Sequence, residues 1–184
     1  MIDCVLSLNR RYDAFVVPRL DRFERAYPGV MSVRSLRALI DSFPTPGDFV
    51  FAALDYKDRA RAVTLSMVVD FVLGIIGNRS PEEELRCLEP WARGADPAGY
   101  KELRIPGFGI AGFQYLRMLF GGDTTKPDVH IRRYVGDQLA RTVSDVDALR
   151  LLEAAAQASG VRIRDVDTSI WEKRARTDSI QRAF

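Results

Sequence analysis

The residues best suited to chemistry lie in two short stretches. Ile105-Pro106-Gly107-Phe108-Gly109 separates two helical patterns, and Gly107 and Gly109, lacking Cβ, can take positive φ and bring backbone N–H groups close to another molecule. With the first amides of the helix beginning at Ile110 and Ala111, this stretch is either a site for a phosphate oxygen or simply a tight interhelical turn. In the second stretch, Lys126-Pro127-Asp128-Val129-His130-Ile131-Arg132-Arg133, Asp128 lies 19 residues beyond Gly109. A carboxylate there can stabilise a developing positive charge, and it can equally cap the helix that follows Pro127. His130, within a helical turn of Asp128, reads as a supporting residue rather than a proton carrier. Arg132 and Arg133 suit contact with phosphate, with Asp137 as a competing partner four or five residues on.

Apolar residues recur at helical spacing along almost the whole chain, which predicts about ten short helices and no strand. The first carries Ile2, Val5, Leu6 and Leu8 and breaks near Asn9-Arg10-Arg11. A second, with Phe15, Val16, Leu20 and Phe23, stops before Tyr27-Pro28-Gly29 and tolerates Pro18 only in its first turn. Ser32 caps a third, Asp48 to Leu54 forms a fourth, and a long apolar helix runs from about Lys57 to Ile76, closed by Gly77-Asn78. Ser80-Pro81 opens the next with an acidic first turn. Pro97 to Leu103, a helix from Ile110, and Asp128 to Arg141, Asp145 to Ala158 and Asp165 to Arg176 complete an all-α chain. With short connections and no low-complexity linker, one body of at most two lobes is expected.

Composition narrows the classes. The 184 residues are 47% hydrophobic and 28% charged with a net charge of +2, an ordinary globular balance. No apolar run reaches the roughly 18 to 20 residues of a membrane helix; the richest, Met67 to Ile76, carries Asp70. The N-terminal residues lack the basic region of a secretory signal, so a cytoplasmic location away from membranes is expected. Cys4, Cys87 and His130 are too few for a disulfide framework, an iron–sulfur cluster or a usual zinc site, which leaves no metal and no cofactor to expect. Of the 27 basic residues only four are lysine, a bias that suits phosphate contact and equally follows from a GC-rich genome.

The two stretches at this spacing resemble the helix-hairpin-helix, Gly/Pro-Asp superfamily of DNA glycosylases, which includes endonuclease III and the alkylpurine glycosylases. The family pattern is an apolar residue before Pro-Gly-x-Gly, an apolar helix, a Gly/Pro-rich turn, then Asp-x-His-x-x-Arg. Here those elements are Ile105 to Gly109, Tyr115 to Gly121 and Pro127 to Arg133. Val5-Leu6-Ser7-Leu8-Asn9 and Lys57-Asp58-Arg59-Ala60 are similar to further family helices, and Asp165 to Trp171 is similar to the closing helix of some members. The resemblance implies a six-helix barrel core over residues 1–141. A second, reduced helical lobe would be completed by residues 142–184, without the helix that usually precedes the barrel.

It also implies an activity and its residues. Asp128 would be the catalytic carboxylate, stabilising the oxocarbenium-like sugar while a flipped-out base leaves and water attacks C1′. Gly107, Phe108, Gly109, Ile110 and Ala111 would hold the DNA backbone, joined by Arg132 and Arg133. Asn9, with Arg10 beside it, would fill the gap left by the flipped base. The lysine that makes some members strand-cleaving lyases is Ala111 here, so a monofunctional enzyme is implied, and Gly112-Phe113 replace the usual Thr-Ala. Lys126 is assigned to phosphate or solvent. Tyr12, Tyr56, Trp91 and Tyr100 are candidates to stack on a lesion base. The reading is therefore a monomeric base-excision-repair glycosylase acting on double-stranded DNA with a damaged, alkylated or deaminated base. The alternatives are a non-catalytic DNA-binding protein of the same fold and an all-α interaction module.

Overall fold

Helix starts follow the local capping chemistry. In the computed structural model, which describes residues 1–180, the Ser32 hydroxyl accepts the Ser35 amide to open α3 (Val33–Asp41), and Thr45 caps α4 (Pro46–Leu54). Asp58 accepts the Arg61 amide at 2.9 Å and starts α5 (Arg59–Ile76). Before these come α1 (Ile2–Leu6) and α2 (Val17–Ala26). A wide turn, Tyr12–Val16, leads into α2, and Val17 N–H donates to the Tyr12 carbonyl across it. Pro18, without an amide proton, stands directly after this wide turn, where no donor is needed.

Short 3₁₀ turns at Pro81–Glu83 and Pro97–Gly99 lead into α6 (Glu84–Gly94) and α7 (Tyr100–Leu103). The chain continues through α8 (Ile110–Leu119), α9 (Val129–Leu139), α10 (Asp145–Ser159) and α11 (Ile163–Ile180). The described residues are all-α, with no strand among them and no single helix long and apolar enough to cross a membrane.

Helix α5 is the centre of the larger packing unit. Leu65, Val68, Val69, Val72 and Ile76 are buried, and α1, α3, α4 and α6 pack around them. A helix buried on so many sides needs apolar residues around its circumference, which is why α5 reads as almost continuously hydrophobic. The core they form extends from Ile2 to Leu116 and includes Leu6, Phe49, Leu88 and Phe113.

A second core joins Ile131 and Val135 of α9 to Ala148, Leu152 and Ala156 of α10 and to Ile163 and Ile170 of α11. Helix α9, on the N-terminal side of residue 141, thus packs with the helices that follow that residue. Ile131 and Val135 present an apolar face to α10 and α11, which lie on it, rather than to the α5 core.

The crossing between the two cores is tightly held. The Gly122 amide donates to the Arg117 carbonyl at 2.8 Å. A Cβ on Gly122 would lie 2.7 Å from the Ala92 carbonyl oxygen and 3.0 Å from that of Arg117, so only glycine fits. Arg117 Nε donates to the Ala92 carbonyl and its Nη1 to Gln114 Oε1, which also accepts from the buried Thr124 hydroxyl. This buried polar network fixes the extended segment that delivers Lys126 and Asp128 to the surface between the cores.

Candidate functional site

Asp128 is the N-cap of α9. Its Oδ1 accepts the amides of His130 at 2.8 Å and Ile131 at 3.2 Å, while Oδ2 takes no hydrogen bond among the described residues. Asp128 lies on the wall of a cleft of about 590 Å³. One side of the cleft is the Ser7–Ala14 segment with Asn9, Arg10 and Arg11; the other is Lys126–His130 with Arg132, Ala111 and Trp171. Capping and a free oxygen thus coexist on one carboxylate.

The loop opposite Asp128 is shaped by Asn9, which sits in the left-handed region at φ 57, a conformation asparagine tolerates better than most residues. Arg61 holds the turn by donating to the Leu8 carbonyl at 3.1 Å. Arg10 reaches back to the Tyr56 hydroxyl at 3.0 Å, close to Asp58.

The Pro106-Gly107 turn adjoins this cleft through the first turn of α8. The Thr64 hydroxyl donates to the Pro106 carbonyl at 2.7 Å, tying the turn to α5, and Gly107 has a φ of 70. The α8 hydrogen-bond ladder begins with Phe113 N–H on the Gly109 carbonyl, so the amides of Ile110, Ala111 and Gly112 have no partner within the helix.

The contributions of Phe108 and Ile110 are narrower than expected. The Phe108 amide is spent on the Ile105 carbonyl, and its ring is buried against Gly112, whose missing Cβ would lie 2.8 Å from it. The Ile110 side chain is buried too, leaving only its amide. Gly107 and Gly109 are exposed. The bulky Phe113 does not enter the cleft: it is buried edge-on against Trp91, and Ala111 takes the cleft wall.

Other residues also differ from expectation. Arg132 pairs with Asp145 of α10 at 3.0 Å. Arg133 is exposed and does not line the cleft. His130 faces the cleft, and its ring makes no hydrogen bond among the described residues. Of the proposed stacking aromatics only Tyr12 lines it; Trp91 is packed among Phe71, Phe113 and Phe120, and Tyr56 against Phe15. Tyr100 packs on the α5 core.

Lys126, expected at phosphate or solvent, and Tyr12 complete the site with Tyr115, Asp167 and Trp171, to which the sequence assigns no role. Lys126 Nζ turns inward, donating to Ser7 Oγ at 3.1 Å and lying 4.4 Å over the Tyr115 ring. Tyr12 and Tyr115 both donate to Asp3 Oδ2, at 2.9 and 3.0 Å, and burial beside this carboxylate raises both phenol pKa values. Trp171 meets Tyr12 edge-on with ring centroids 6.2 Å apart. Behind them a side chamber of about 250 Å³ is bounded by Tyr12, Tyr115, Met118, Ile131, Trp171 and Asp167, and opens to Lys126 and Asp128.

Asp167 Oδ1 accepts from the Thr125 hydroxyl and, at 3.1 Å, from the Lys126 amide. Burial raises its pKa; the two hydrogen bonds oppose the shift and the nearby Asp128 charge adds to it. Helical spacing held the signal: Tyr115 lies four residues after Ala111, and Trp171 four after Asp167, so each pair shares a helix face. Among the described residues no group of three or more His, Cys, Asp or Glu is arranged to hold a metal ion.

Residues 100–175 match a family profile described as a domain of unknown function (DUF8548). The matched stretch contains Ala111, Lys126, Asp128, Asp167 and Trp171, while the Asn9 side of the cleft lies outside it. No curated protein and no solved structure matches the chain significantly.

Proposed function

We propose that the protein is a monofunctional DNA N-glycosylase with a helix-hairpin-helix, Gly/Pro-Asp architecture, its six-helix barrel drawn from the helices around α5 and its smaller lobe from α9, α10 and α11. The observation that carries this reading is Asp128 itself. One oxygen is fixed by two amides and the other faces a cleft whose walls include Ala111 and Asn9.

In this reading a damaged base leaves the duplex and enters the cleft. The N-glycosidic bond breaks, its electron pair departs with the base, and positive charge develops on the sugar. Asp128 Oδ2 stabilises that charge in a partly dry site, where electrostatics is stronger than in water. Water then adds to C1′ from the side of Asp128, which takes up its proton. The two amide bonds on Oδ1 keep the carboxylate from reorienting during the step. Ala111 offers no amine, so hydrolysis rather than strand cleavage follows. Arg10, Arg11 and the exposed turn at Gly107 and Gly109 would contact phosphates.

The test is release of free base from duplexes carrying methylated or deaminated bases, together with binding to a duplex containing an abasic-site analogue. Release that disappears in Asp128→Asn supports the enzyme. Salt-dependent binding without release from any lesion leaves the non-catalytic DNA-binding protein, and absence of binding at low salt overturns both.

A further inference from the structure

The side chamber behind Asp128 has a chemical polarity of its own. At about 250 Å³ it exceeds the roughly 150 Å³ in which an engineered protein cavity holds benzene, so a one- or two-ring heterocycle fits. Its walls are the rings of Tyr12, Tyr115 and Trp171 with the side chains of Met118 and Ile131. The two tyrosine hydroxyls are turned away, both donating to Asp3 Oδ2, so they present ring carbon rather than hydroxyl to a ligand.

The carboxyl of Asp167, with Lys126, Asp128 and Thr168, breaks this apolar lining. Its Oδ1 is occupied by the Thr125 hydroxyl and the Lys126 amide, while Oδ2 takes no hydrogen bond among the described residues. A carboxylate oxygen in such a setting gains from an N–H donor brought to it and loses when an acceptor is placed against it. Lys126 Nζ, whose charge acts on Asp167, is held by Ser7 Oγ and the Tyr115 face.

We infer that this chamber is the subsite for the extruded base and that Asp167 Oδ2 selects heterocycles with an amino or ring N–H edge. This rests on the glycosylase reading and makes Asp167 a specificity-determining residue. The selection follows from which oxygen is occupied. In Asp167→Asn, Thr125 and the Lys126 amide still require an acceptor, so the amide oxygen stays on them and the NH₂ group faces the chamber. The substitution then turns an accepting wall into a donating one.

Two ring ligands of similar size test this without DNA. 9-Methyladenine carries an amino donor at position 6; 6-methoxy-9-methylpurine carries only acceptors. Titrated into the full chain by NMR, the amino compound is expected to bind about tenfold more tightly. In Asp167→Asn the ratio is expected to fall below one. Equal binding of the two by the wild type, binding of neither, or an unchanged ratio in a folded Asp167→Asn would each overturn the subsite. The abasic-duplex assay, run alongside, separates the two readings. Duplex binding with no ring preference removes the subsite alone, whereas ring preference without duplex binding removes the glycosylase and leaves a heterocycle-binding chamber.

Discussion

Asp167 of α11 accepts the backbone N–H of Lys126 at 3.1 Å, which joins the last described helix to the segment that carries Asp128. Through this contact and the Thr125 hydroxyl, α11 positions Asp128 without touching its cap.

Asp167 therefore has an acid-linked signature. Its folded pKa is raised above that of an ordinary aspartate, chiefly by burial, so the folded state binds its proton more tightly than the unfolded one. The stabilisation belongs to the protonated form: it is complete below the unfolded pKa and lost as pH rises through the folded one. Asp128 and Lys126 are the charges facing it, and they act in opposite directions. At pH 7 Asp167→Asn should melt at or above the wild-type temperature, and its advantage should shrink on acidification towards pH 4. A large loss of Tm at pH 7, undiminished in acid, would contradict this.

The tyrosine pair gives a second measurement. Asp3 Oδ1 is buried without a partner among the described residues, and Oδ2 depends on Tyr12 and Tyr115. Either Tyr→Phe substitution leaves one donor in place and should cost about 1 kcal/mol. Both together strand the carboxylate, so the double variant should lose about 1–3 kcal/mol beyond the sum of the singles. A double-mutant cycle by chemical denaturation measures that excess; simple additivity would mean that water reaches Asp3 freely.

Two glycines differ in how much their surroundings can yield. A Cβ on Gly112 meets the Phe108 ring at 2.8 Å and a Leu8 methyl at 3.2 Å, both side chains. A Cβ on Gly122 meets two backbone carbonyl oxygens. Gly112→Ala should cost about 1–3 kcal/mol and be partly relieved by Phe108→Leu. Gly122→Ala should cost more and find no relief from a side-chain substitution. Thermal melts of the three variants rank them; equal losses would show that the α6–α8 crossing relaxes.

Much of this site is legible in the sequence because capping and spacing are local. Ser32 and Asp128 announce their helices, and 19 residues between Gly109 and Asp128 leave room for one helix and a turn. Asp128, Ala111 and Asn9 do meet at one cleft. What stays hidden depends on partners distant in the chain. The apolar face of α9 does not say which core will receive it, and Arg132 finds Asp145 on another helix. Trp91 and Trp171 are the same residue type, yet one is packed among core aromatics and the other edges the chamber. Asp167 is invisible because nothing in a polar helix marks a carboxyl that turns inward.

Two substitutions at Asp128 separate its two duties. Asparagine keeps an oxygen for the amides of His130 and Ile131, so α9 should keep its start, and the Tm should stay within a few degrees of the wild type. Alanine removes the cap and should cost about 1 kcal/mol. Both remove the negative charge that would face the sugar, so base release should fall at least about 100-fold in each, comparable to losing one strong electrostatic contact to a transition state. Stability would then divide the two variants while activity groups them. If base release instead tracked Tm, high in Asp128→Asn and low in Asp128→Ala, Asp128 would be a helix cap and the carboxylate chemistry would belong elsewhere in the cleft.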